Sequence, residues 1–63
     1  MYYYFAFAND DPLKTAFNEN EITVDEMRER FVGSWVRVGD DEHDVNQVSD
    51  IWTSDQAKKY FEE

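Results

Sequence analysis

A chain of 63 residues with 15 acidic and 6 basic side chains carries a formal net charge of −9, with no cysteine and one histidine. That balance repels nucleic acid and anionic membrane and favours basic partners, and the missing cysteine excludes disulfides and thiolate metal sites. A chain this short buries only roughly 60% of its unfolded surface. One compact domain over 1–63 with a thin core is therefore expected, supported by local signals, by a 17% share of aromatic residues, or by self-association.

Residues 1–8, MYYYFAFA, read as a strand that is apolar on both faces. Met1, Tyr3, Phe5 and Phe7 share one face, and Tyr2, Tyr4, Ala6 and Ala8 the other. The stretch lacks a basic region and is too short and aromatic for a signal peptide. No apolar run approaches the ~20 residues of a membrane span, so the expected location is cytoplasmic. Asp11-Pro12 reads as a helix start, with Leu13, Ala16 and Phe17 on one face of a short helix over 12–17.

A second helix over 24–32 is signalled three ways. Thr23 and Glu26 form a capping box, Ile22 can staple onto Met27, and Asp25 and Glu26 suit the positive end of the dipole. Val24, Met27 and Phe31 make the buried stripe, and Gly33 supplies the stop. Two short strands follow, 34–38 and 46–52, rich in Val, Trp and Ile. Val45, Val48 and Trp52 also fit a helical period, which leaves a short helix as the alternative there. Thr53 repeats the earlier cap with Gln56 in place of Glu, opening a helix over 54–62. The expected fold is α+β: a small three-stranded antiparallel sheet with two or three short helices on one face. Its buried side chains should include Phe5, Phe7, Leu13, Phe17, Met27, Phe31, Val36, Ile51 and Phe61.

Between the two later strands lies Gly39-Asp40-Asp41-Glu42-His43-Asp44, a turn holding four carboxylates in five residues. His43 among them suggests a metal ligand, and Asp40, Glu42, Asp44 and Asn46 superficially follow an EF-hand start. The glycine that such a loop requires is Val45, and its final bidentate glutamate is Ile51, so no metal site is expected. With no nucleophile motif, no phosphate loop and too little chain for a walled cleft, neither an enzyme nor a cofactor is expected. Tyr2, Tyr3, Tyr4 and Trp35 could form a stacking platform for single strands, but such platforms sit in positive grooves.

In size, acidity, absence of cysteine and absence of a catalytic motif, the chain resembles the small acidic inhibitors encoded by bacteriophages and mobile elements. These include anti-CRISPR proteins and DNA mimics. The resemblance implies a host-cytoplasmic protein that occupies a basic nucleic-acid-binding surface of a nuclease or CRISPR effector subunit and so blocks DNA. The expected contact residues are Asp40, Asp41, Glu42, Asp44 and Asp50, with Trp35 as aromatic anchor. The alternative is a small self-associating interaction module, a homo-oligomer whose acidity confers only solubility.

Overall fold

In the computed structural model, which describes residues 1–62, six elements follow one another: β1 (Tyr2–Phe7), β2 (Leu13–Asn18), α1 (Val24–Phe31), β3 (Trp35–Arg37), β4 (Val45–Trp52) and α2 (Ser54–Glu62). The strands form one curled antiparallel sheet in the order β2-β1-β4-β3. Among the described residues no helix is long and apolar enough to cross a membrane.

The sheet has four strands where three were expected, because 12–17 is strand rather than helix. A six-residue helix closes too few hydrogen bonds to offset the cost of its nucleus. Pairing with β1 supplies them instead, with Leu13 opposite Phe5 and Lys14 opposite Tyr4. Leu13 and Phe17 then turn to the core between the exposed Lys14 and Ala16, an alternation of period two. Between the pairs Tyr4–Lys14 and Tyr2–Asn18, β2 has three residues (15–17) where β1 has only Tyr3, so β2 bulges there. The Thr15 hydroxyl sits in the bulge, 6% exposed, accepting from Phe17 N–H at 3.1 Å and donating to Phe17 C=O at 3.3 Å.

Val45–Trp52 is a strand in which Val45, Val48 and Trp52 do not share a face. Val45 is exposed, Val48 is in the core with Met27, and Trp52 meets Tyr60 of α2. A second bulge interrupts the strand. Ala6 pairs with Asp50 and Phe7 with Val48, which leaves Ser49 unopposed. The extra residue resets the alternation, so Val48 and Ile51 face the same core although three positions apart. Ser49 Oγ donates to the Ala6 carbonyl at 3.0 Å, supporting the interrupted ladder.

The helices lie on opposite faces of the sheet, not together on one. Tyr3 and Phe5 meet α1: the Phe5 and Phe31 rings are 5.2 Å apart, and Met27 is buried among Tyr3, Phe5, Val48 and Ile51. Tyr4 and Trp52, paired across β1 and β4, point the other way and meet Phe61 and Tyr60 of α2. Alternation along β1 forces this division. The small Ala6 on the Tyr4 face and Ala57 of α2 are both buried. Of the expected core, Phe5, Met27 and Ile51 are buried, and Phe7, Leu13, Phe17, Phe31 and Val36 pack half-buried around them. Phe61 is instead 58% exposed, covering Tyr4 from outside.

Both helix starts use the expected threonines. Thr23 Oγ1 accepts from Glu26 N–H at 3.2 Å. Thr53 and Gln56 bond reciprocally, Gln56 N–H to Thr53 Oγ1 at 3.4 Å and Thr53 N–H to Gln56 Oε1 at 3.0 Å. Gly33 ends α1 at φ +92°, and Ser34 N–H and Oγ return to the Phe31 and Arg30 carbonyls. The two capped helices sit differently in the fold: α1 follows an edge strand, while α2 follows a central one. Thr23→Ala and Thr53→Ala should each cost about 1 kcal/mol. Thermal melts should show each midpoint lowered by about 4–8 °C, and an unchanged midpoint in both would discount the caps.

Candidate interaction site at the acidic end of the sheet

Antiparallel pairing of β1 with β4 brings the end of one strand beside the start of the other. The β1–β2 turn (8–12) and the β3–β4 turn (38–44) consequently leave the sheet at the same end. The first carries Asp10 and Asp11, the second Asp40, Asp41, Glu42 and Asp44, and all of these are exposed. Asn46 Nδ2, at the start of β4, donates to Asp10 Oδ2 at 3.4 Å and links the two turns.

The longer turn has a defined shape. Asp41 Oδ1 accepts from His43 N–H at 2.9 Å, Asp44 N–H donates to the Asp41 carbonyl at 3.0 Å, and Val38 N–H donates to the Asp44 carbonyl at 2.9 Å. Gly39 leaves room for Asp44: a Cβ there would come within 2.9 Å of Asp44 Oδ2. His43 Nε2 lies 3.7 Å from Glu42 Oε1, both exposed. Among the described residues, none of Asp40, Asp41 and Asp44 has a lysine or arginine within ion-pair distance. Among the same residues, no three His, Asp or Glu side chains converge to hold a metal ion.

Asp50 is occupied differently. It sits on β4 beyond the reach of β3, where its Oδ1 accepts from Arg28 Nε at 3.1 Å and from Ile51 N–H at 2.8 Å. It ties α1 to the open edge of β4, and its charge is already matched. Other acids are likewise engaged within the fold: Glu19 Oε1 accepts from Ser54 N–H and Oγ, and Glu62 reaches Lys58. Among the described residues Glu21, Glu26, Glu29 and Asp55 also lack a basic side chain within ion-pair distance, but they are spread over the rest of the chain, whereas six carboxylates gather at the turn end.

Trp35, at the start of edge strand β3, is 65% exposed, and its position along the sheet places it behind the acidic turn. It lines a groove of about 250 Å³ together with Ala8, Asn9, Asn46 and Gln47, against the β1–β2 turn. On the other flank of that turn lies a groove of about 440 Å³, walled by Asp10, Asp11, Pro12, Trp52 and Tyr60. Tyr60 donates its hydroxyl to Asp11 Oδ1 at 3.0 Å. That bond raises the Tyr60 pKa above its ordinary value, with the charges of Asp11 and Asp10 adding to it. Asp10, Asp11, Trp52 and Tyr60 were not singled out as site residues from sequence. Recognising β2 as a hairpin partner of β1 would have placed the two aspartates beside the longer acidic turn.

The fold and this end of it define a small α+β domain with an acidic, aromatic-flanked surface. Comparison with protein-family models, curated proteins and solved structures gave no match.

Proposed function

We propose that this chain is a non-enzymatic acidic inhibitor that occupies a basic nucleic-acid-binding surface on a host defence protein, of the CRISPR-effector or restriction-enzyme type, and so blocks DNA binding. The observation that carries the reading is the convergence of Asp10, Asp11, Asp40, Asp41, Glu42 and Asp44 at one end of the sheet. Duplex DNA carries one charge per ~1.7 Å of axis, and a basic groove shaped for phosphates accepts comparable carboxylates. Trp35, exposed beside this end, offers the desolvated aromatic contact that charge alone does not supply. Asp50 acts from within, holding α1 to the sheet through Arg28. The second reading, a self-associating module, draws on Trp35 and Val45, which lie exposed on one face of the outer strand pair.

The test neutralises Asp40, Asp41, Glu42 and Asp44 together, as Asn and Gln, which changes the net charge from −9 to −5 by removing four negative charges. The wild type should retain a basic partner from bacterial lysate, less of it as salt rises past about 0.1 M, where the screening length falls to about 10 Å. The neutralised chain, folded by circular dichroism, should release it. Retention of the same partner by both chains at the same salt would remove the turn as the binding surface. A wild type that retains no basic partner, and self-associates in sedimentation, would favour the second reading.

A further inference from the structure

We propose that the groove between the β1–β2 turn and α2 is a receptor for the guanidinium group of an arginine side chain presented by a protein. Two features of the groove carry the assignment. Its walls include the rings of Trp52 and Tyr60, 5.4 Å apart and tilted by 54°. The electron-rich face of such rings attracts a cation within about 6 Å of the centroid. It is also lined by the exposed Asp10 and Asp11, and among the described residues neither has a lysine or arginine within ion-pair distance.

The carboxylates are held in place before any ligand arrives. Asp10 Oδ1 accepts from Asp11 N–H at 2.8 Å and its Oδ2 from Asn46 at 3.4 Å, while Asp11 Oδ1 accepts from Tyr60 at 3.0 Å. Each oxygen keeps a further lone pair for a donor. The Tyr60 pKa is raised first by its hydrogen bond to Asp11 and then by the Asp11 and Asp10 charges. A divalent metal is a poor fit, since no three ligating side chains converge among the described residues. An ammonium satisfies the charge but cannot stack. A planar guanidinium does both, lying against a ring while its N–H fork meets a carboxylate.

The groove shares Asp10 and Asp11 with the acidic end on which the inhibitor reading rests but none of Asp40–Asp44, so arginine binding here is tested apart from what the longer turn binds. The test titrates isotopically labelled chain with acetyl-arginine methylamide and follows backbone and indole N–H resonances. The Trp52 indole and the Asp11 amide should shift and saturate, while the Trp35 indole moves little. Acetyl-lysine methylamide should bind more weakly, and an Asp10→Asn, Asp11→Asn double variant should bind arginine about fivefold more weakly through loss of charge-assisted bonds. An Asp40→Asn, Asp41→Asn variant should bind it unchanged. A silent Trp52, shifts reproduced by sodium chloride at the same ionic strength, or equal binding of the neutral acetyl-citrulline methylamide would each overturn the proposal. Tighter binding of free methylguanidinium than of the blocked arginine would also overturn it, by assigning the groove to a small free cation.

Discussion

Met27→Ala should remove about 2–5 kcal/mol of stability, the usual range for truncating a buried aliphatic side chain. At 0.05–0.15 kcal/mol per residue, a domain of this length holds only about 3–9 kcal/mol in total. The substitution should therefore leave a large unfolded population at room temperature. Met27 is the buried residue of α1 and is fully enclosed, 0% exposed, among Tyr3, Phe5, Val48 and Ile51. No other side chain of the helix reaches as deep, and its removal leaves a void between helix and sheet. Met27→Leu conserves most of the volume and should cost less than about 1.5 kcal/mol. Urea denaturation followed by circular dichroism separates the two. Equal midpoints for Met27→Ala and wild type would mean that α1 contributes little to the core.

Tyr3→Ala should cost about 3–5 kcal/mol, by analogy with other buried aromatic truncations. The ring belongs to the core, and the hydroxyl donates to the Ile22 carbonyl at 2.7 Å, fixing the segment just before the Thr23 cap. Tyr3→Phe keeps the ring and should cost only about 1 kcal/mol, the price of one hydrogen bond. Burial raises the Tyr3 pKa above its ordinary value of 10.0, and the charges of Glu19 and Asp25 raise it further. A raised pKa in the folded state means that the neutral phenol favours folding. That contribution is fully present below pH about 10 and is lost as pH rises through the higher folded value. Alkaline unfolding should accordingly begin at higher pH in Tyr3→Phe than in wild type. Identical alkaline limbs would show that another group drives the transition.

The helix-capping chemistry and the apolar strands were legible in the sequence because their causes are local. Thr23, Thr53 and Gln56 act on backbone within four residues, and β1 is apolar whichever strand it pairs with. The misreading of 12–17 has a single origin. Asp11-Pro12 carries a good local helix signal, but the decisive hydrogen bonds of that segment come from β1, at a separation that no local pattern records. Asp11 turns to Tyr60 of α2 instead of capping a helix. Val45, Val48 and Trp52 fit a helical period in sequence, but the pairing of 45–52 with both β1 and β3 decides for a strand in which the three do not share a face. The acidic turn at 40–44 was visible as composition. Its union with Asp10 and Asp11 follows from the sheet register, and the engagement of Asp50 by Arg28 from the position of α1 beside β4. Both are tertiary facts.

The most direct test of the inhibitor reading takes the basic partner retained by the chain and measures its binding to fluorescently labelled duplex DNA as the chain is added. The account predicts competitive release of DNA, with potency falling steeply between low and physiological salt. The chain neutralised at Asp40, Asp41, Glu42 and Asp44 should release little or none. A complex that holds chain and DNA together, each with undiminished affinity, would contradict it.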